Sequence, residues 1–192
     1  MRIRIDLKIF IFLIIFYFTN QIRMYLIIMM FSILHEMGHI MAGLILKMKL
    51  EKIELMPFGL SVSFFKGITT NIKEIFVALA GPIMSLALAI IGSEFEVIVY
   101  SNILICLFNL IPLYPLDGGR IIKGILHIIL GSEKSENITN KISNVTIIIL
   151  TVISSIAVYY YKNIAIFLIC IFLWSLALKE KNDKTLAILQ GK

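Results

Sequence analysis

The sequence predicts an all-α polytopic membrane protein of about six transmembrane helices, and three observations lead there. Of its 192 residues 59% are hydrophobic and 16% charged, against about half and a quarter in an ordinary soluble domain, and the mean hydropathy is +0.96. The apolar residues gather in blocks longer than a core helix needs. Lysine and arginine alternate between rich and poor from one connection to the next, as they do in a correctly divided membrane chain. At about 20 residues per crossing, six helices use most of the length and leave no extramembrane domain of ordinary size.

The first block, Ile9 to Phe18, follows Arg2, Arg4 and Lys8 as in a signal peptide. Thr19, Asn20 and Gln21 offer no small-residue cleavage site, so a short retained span over 8–19 is expected. The remaining spans are expected at 24–48, 75–91, 97–116, 145–161 and 164–178, parted by segments rich in Lys, Asn, Ser and Glu. On this division one side of the membrane collects Arg2, Arg4, Lys8, Lys47, Lys49, Lys52, Lys66, Lys73, Arg120, Lys123, Lys134, Lys141, Lys179, Lys181, Lys184 and Lys192. The other side keeps only Arg23 and Lys162. Both termini are therefore expected in the cytoplasm of a bacterial-type cytoplasmic membrane.

The formal charge of +6 is then topology signal plus attraction to anionic lipid. No groove or helix is left for a duplex, so nucleic acid is excluded as a partner. Cys106 and Cys170 lie inside apolar blocks and give no disulfide framework. Tyr159, Tyr160, Tyr161 and Trp174 read as interfacial or packing aromatics. No repeat relates the two halves of the chain, as an inverted-repeat transporter would require.

Ionisable groups at membrane depth are costly, so the few inside these blocks are where chemistry is sought. Span two holds His35-Glu36-Met37-Gly38-His39, two of the chain's three histidines in an H-E-x-x-H pattern. Four residues apart on a helix, the imidazoles differ by about 40° in azimuth and 6 Å in rise, so both can bind one zinc ion. Glu36 beside them can act as general base toward a metal-activated water without ligating the metal. Chance occurrence or two packing histidines is the competing reading. Gly38 is expected to serve close helix packing.

A catalytic zinc ordinarily takes three protein ligands, so two histidines leave it one short. Asp117 is the candidate. It ends the run Asn109-Leu110-Ile111-Pro112-Leu113-Tyr114-Pro115-Leu116-Asp117-Gly118-Gly119-Arg120, where prolines and glycines must break regular helix. Irregular backbone at membrane depth is tolerated only where protein or a water cavity satisfies it. Spans two and four run in the same direction, so His35, His39 and Asp117 are expected at similar depth. A turn or cap role is the alternative for Asp117, and His127 is a rival ligand, read as interfacial.

These motifs resemble the site-2 protease family of intramembrane zinc metalloproteases. The resemblance rests on His35-Glu36-Met37-Gly38-His39, the Asn109-x-x-Pro112-x-x-Pro115-x-Asp117-Gly118 run and Ala80-Gly81-Pro82. It covers a three-helix catalytic core of about 24–120 within one membrane-embedded domain, 1–192. Leu55-Met56-Pro57-Phe58-Gly59 looks most like the stage IV sporulation protein FB group. The resemblance implies one Zn2+ per chain on His35, His39 and Asp117, with Glu36 activating water and Asn109 and Pro115 positioning substrate. It also implies a transmembrane or membrane-tethered protein substrate, such as a pro-sigma or anti-sigma factor, and membrane-bound inhibitor proteins as partners. Ser85 stands where many members have Asn, and a form lacking the C-terminal CBS domain is expected.

Residues 53–65 show short alternating stretches around Pro57 and Gly59, consistent with a strand or hairpin at the membrane edge. Such a strand could hold an unwound substrate by strand addition. An interfacial loop anchored by Phe58, Phe64 and Phe65 is the alternative. A zinc-binding transporter or non-proteolytic regulator is the competing function, but it needs no Glu36 in that position. A dead adaptor would have lost one of His35, Glu36, His39 or Asp117, and all four are present.

Overall fold

The structure, a computed structural model, describes residues 2–57, 59–64, 71–161, 171, 174 and 175. Contacts divide the chain into two compact units, Met1–Leu110 and Ile111–Lys192.

The first unit opens with β1 (Arg2–Ile5) and α1 (Lys8–Phe18). Asn20 closes α1 in the left-handed region at φ 57, with the amides of Asn20 and Gln21 returning to the carbonyls of Tyr17 and Phe16. This is the Schellman arrangement, which asparagine tolerates. The chain reverses at once into α2 (Ile22–Ile45), and Phe16 stacks on Tyr25 with centroids 4.8 Å apart.

A second Schellman closure ends α2. Lys47 sits at φ 57, and the amides of Lys47 and Met48 return to the carbonyls of Leu44 and Gly43. Lys73 adds its ammonium to the Leu46 carbonyl at 3.3 Å, where a cation suits the negative helix end. Buried Met48 then packs with Val62, Phe64 and Val77, turning the chain into β2 (Leu50–Met56) and β3 (Gly59–Phe64).

The three strands form one sheet in the order β1-β2-β3, with β1 parallel and β3 antiparallel to β2. The hairpin predicted from the alternation is thus present. It runs back along α2: Phe64 lies against Gly43, Gly59 against Ser32, and the Tyr25 hydroxyl donates to the Pro57 carbonyl at 2.6 Å. From Gly43 to Tyr25 this covers about 27 Å of helix axis. Gly59, at φ +132, takes a backbone conformation that side chains resist, and Ser32 leaves no room for one.

The unit continues with α3 (Asn71–Ile91) and α4 (Glu96–Asn109). Gly38 does what its position in α2 suggested: a Cβ there would meet the Ala80 carbonyl oxygen at 2.7 Å and Met84 at 2.8 Å. The two helices therefore touch nearly backbone to backbone.

In the second unit, irregular backbone carries Ile111 to Leu116 into α5 (Asp117–Leu130), and α6 (Ser132–Tyr161) follows Gly131. Hydroxyls of α6 satisfy the break: Ser143 Oγ accepts the Tyr114 amide at 3.0 Å and Thr146 Oγ1 donates to the Pro112 carbonyl at 3.3 Å. Within the unit, Trp174 Nε1 donates to Thr151 Oγ1 at 2.9 Å, while Tyr159 and Tyr160 are exposed.

Among the described residues three helices are long and apolar enough to cross a membrane: α2, α3 and the Ser132–Ile156 part of α6. The helix limits differ from those of the expected spans at two places. Span four, expected to reach residue 116, is helical only to Asn109, because Pro112 and Pro115 cannot continue the ladder. Span five, expected from 145, lies in a helix that starts at Ser132, since polar side chains do not end a helix as they end a hydropathy window. Span one is an 11-residue helix, about 16 Å long and shorter than a bilayer core. The expected span 164–178, Phe58 and Phe65 lie outside the described residues, apart from 171, 174 and 175.

Candidate metal centre

His35 and His39 stand one turn apart on α2, each 1% exposed, with ring centroids 5.0 Å apart. A ring nitrogen of one lies within 4.8 Å of a ring nitrogen of the other. Two zinc–nitrogen bonds of about 2.0–2.1 Å reach across at most about 4.2 Å, a separation inside that limit.

The opposite wall is α3. His39 Nδ1 donates to the Val77 carbonyl at 2.7 Å. A carbonyl only accepts, so the proton of neutral His39 is on Nδ1 and Nε2 presents a lone pair. His35 Nδ1 lies 2.8 Å from Ser85 Oγ, itself fully buried. Val77, Gly81 and Ser85 are spaced by four, so one stripe of α3 faces both imidazoles.

Gly81, midway along that stripe, marks where the rings converge. A Cβ built there would lie 2.5 Å from His35 Nε2 and closer still to His39 Nε2 and Cε1. Both Nε2 atoms therefore border one small volume that any side chain at position 81 would fill. Pro82 follows and has no N–H to return to the Ala78 carbonyl. Two neutral imidazoles with Nδ1 engaged and Nε2 converging are a donor pair that suits zinc.

Glu36, next to His35 on α2, is partly buried. Asn109, the last residue of α4, uses its side-chain amide to donate to the Ile105 carbonyl at 3.0 Å. In the second unit Asp117 is the first residue of α5 and is 5% exposed. Arg120 Nη1 reaches its Oδ1 at 3.4 Å, and a helix N-terminus favours a carboxylate. Gly119 lets this helix start press on the preceding backbone, since a Cβ there would meet Leu113 C at 2.5 Å and O at 2.7 Å. Pro115 belongs to the break, in a cis peptide with Tyr114. His127 lies ten residues, about 15 Å, farther along α5 and is partly exposed.

The sequence reading did not find the partners of the two imidazoles. Val77 contributes only backbone, for which no sequence signal exists. Ser85 had one: a lone hydroxyl in an apolar span, one helical turn after a Gly-Pro pair.

A family profile described as Peptidase M50B-like matches residues 8–116, and one described as Peptidase family M50 matches residues 91–153. A zinc metalloprotease of Methanocaldococcus jannaschii is 28% identical over 83% of this chain and 49% of its own length. Stage IV sporulation protein FB of Bacillus subtilis is 28% identical over 54% of this chain and 40% of its own length. The chain thus spans about half or less of the curated relatives it matches. A solved site-2 protease from Methanocaldococcus jannaschii superposes with a TM-score of 0.73 at 25% identity, covering 93% of this chain and 89% of that one. With the M50B-like profile matching more than half of its residues, across both histidines and up to the end of the proline-rich break, the chain belongs to the M50 family of site-2 proteases.

Proposed function

We propose that this chain is an intramembrane zinc metalloprotease that hydrolyses a peptide bond in or near a transmembrane segment of a membrane protein. The observation that carries the proposal is the convergence of His35 and His39 Nε2 on the space left by Gly81, with both Nδ1 atoms already engaged. His35 and His39 would hold one zinc ion per chain, with Asp117 as third ligand on the strength of its chemistry and burial.

When bound, zinc supplies Lewis acidity that makes water nucleophilic near neutral pH and polarises a carbonyl. Glu36 takes the proton of the attacking water and delivers it to the leaving amine, a task suited to a carboxylate beside the ligands but not among them. Val77 and Ser85 hold the imidazole rings from behind. Asn109 and Pro115, at the two ends of the break, position the substrate.

A helical substrate hides its carbonyls in its own hydrogen bonds and must unwind before attack. Among the described residues β3 is paired on one side only, by β2. Its other edge suits an extended substrate segment added as a further strand. In this reading the chain is a single membrane-embedded domain with six crossings and cytoplasmic termini, and it acts on a membrane-tethered protein of the pro-sigma or anti-sigma type. Membrane-bound inhibitor proteins would regulate it.

The test is cleavage of a tagged single-span substrate by purified protein in detergent or liposomes. Cleavage that stops with a zinc chelator and returns with added zinc supports the proposal. Stoichiometric zinc binding without cleavage of any such substrate would favour a transporter or non-proteolytic regulator instead.

A further inference from the structure

We propose that Ser85 is a positioning residue for the metal centre, setting the direction of the His35 lone pair through a hydrogen bond at Nδ1. The inference rests on the proposed zinc site and adds a residue to it.

The two imidazoles are held differently. His39 is bonded to a backbone carbonyl, which can only accept, so its tautomer is fixed by main chain that no substitution removes. His35 depends on a side chain. Its Nδ1 meets Ser85 Oγ at 2.8 Å, and among the described residues His35 is the only hydrogen-bond partner found for that hydroxyl. A hydroxyl can donate or accept. With Nδ1–H donating to Oγ, Nε2 carries the lone pair and faces the volume beside Gly81. With the hydroxyl donating to Nδ1, the proton sits on Nε2 and the ring cannot ligate. Ligation therefore selects the first arrangement, and Ser85 holds the ring plane in which it operates.

Nothing else at position 85 explains a hydroxyl there. Ser85 is fully buried in the middle of α3, where alanine is the better helix former and would leave no polar atom to satisfy. One turn away Gly81 keeps the space in front of the ring open, while Ser85 holds the ring from behind.

The experiment measures zinc and cobalt affinity by competition with a chelator, together with the thermal unfolding of metal-free protein. It compares native protein with Ser85→Ala, Ser85→Thr, His35→Ala and the His35→Ala/Ser85→Ala double variant. Native protein that binds no zinc sinks the metal site itself, and with it this inference. If native protein binds, Ser85→Ala is expected to bind 10- to 100-fold more weakly, the range for partners of metal-ligating histidines. Its metal-free unfolding temperature should fall by no more than the loss of one buried hydrogen bond explains, its cobalt absorption bands should be altered, and Ser85→Thr, which keeps the hydroxyl, should bind more tightly than Ser85→Ala. In the His35→Ala background Ser85→Ala should add no further loss, because the residue acts through the ring that is gone. Native-like affinity in Ser85→Ala overturns the inference. So does weakened binding that tracks an equal loss of metal-free stability and persists undiminished in the His35→Ala background, which would make Ser85 a packing residue only.

Discussion

Gly81→Ala adds one methyl group at the point where the two imidazoles converge, and it weighs more heavily on metal binding than on folding. Position 81 lies inside α3, where alanine is favoured over glycine by about 0.8–1.0 kcal/mol. The new Cβ, however, would stand 2.5 Å from His35 Nε2, against the 3.4 Å at which ordinary contact begins. His35 must therefore move by about 0.9 Å, His39 by at least as much, and crowding of this kind costs about 1–3 kcal/mol. The net effect on the metal-free fold lies between neutral and a loss of about 2 kcal/mol. Zinc–ligand distances hold to within about 0.2 Å of their ordinary values, which rings displaced this far do not readily meet. Affinity for zinc should thus fall about 100-fold or more, equivalent to about 2.8 kcal/mol. The assay is zinc per chain by elemental mass spectrometry and by chelator competition, beside thermal unfolding of the metal-free protein. A Gly81→Ala protein that folds and binds zinc with native stoichiometry and affinity would refute the reading that both imidazoles ligate in the space Gly81 leaves open.

Other outcomes follow from the same geometry. Tyr25→Phe removes the 2.6 Å bond to the Pro57 carbonyl and leaves that buried acceptor unpaired, a loss of about 1–3 kcal/mol; hydrogen exchange across β2 and β3 should quicken while zinc content holds, and unchanged exchange would contradict the pinning of the hairpin by α2. Gly119→Ala drives a methyl group into the Leu113 backbone, which cannot yield as a side chain can, so α5 should be displaced at Asp117. Unfolding at lower temperature together with loss of zinc is expected; native zinc retention would argue against Asp117 as a ligand. Chelation of zinc from native protein should lower its unfolding temperature and re-addition restore it, because a ligand that binds only the folded state stabilises by mass action.

What the sequence made legible was the part whose signal is local. The H-E-x-x-H pattern set His35 and His39 on one face of α2 by helix period alone, and Gly38 was legible as a packing residue because glycine inside an apolar helix has few other uses. The break after Asn109 followed from Pro112 and Pro115, and α5 begins at Asp117, where the last of those constraints is cleared. The illegible parts depend on distant partners. Arg2 to Ile5 looked like the basic flank of an apolar segment, but the strand is made by pairing with residues 52–55, some fifty positions away. The alternation of residues 53–65 indicated a hairpin but not its path along α2, which is set by Tyr25, Ser32 and Gly43. The first 13 residues of α6 are helical without being apolar, so a hydropathy window begins too late. Ser85 was seen as a departure from a pattern, and only its distance from His35 gave it a role.

Glu36 and Asp117 have separable proposed roles, proton transfer for the one and metal ligation for the other, and the two can be tested side by side. Native protein, Glu36→Gln and Asp117→Ala, each co-expressed with a tagged single-span substrate of the pro-sigma type, should be compared for cleavage and for bound zinc. Native protein is predicted to cleave; Glu36→Gln to keep its zinc while cleavage falls by a factor on the order of 10²–10⁴ or more; and Asp117→Ala to lose zinc and cleavage together. Zinc held by all three proteins, with no cleavage that depends on Glu36, would contradict both roles.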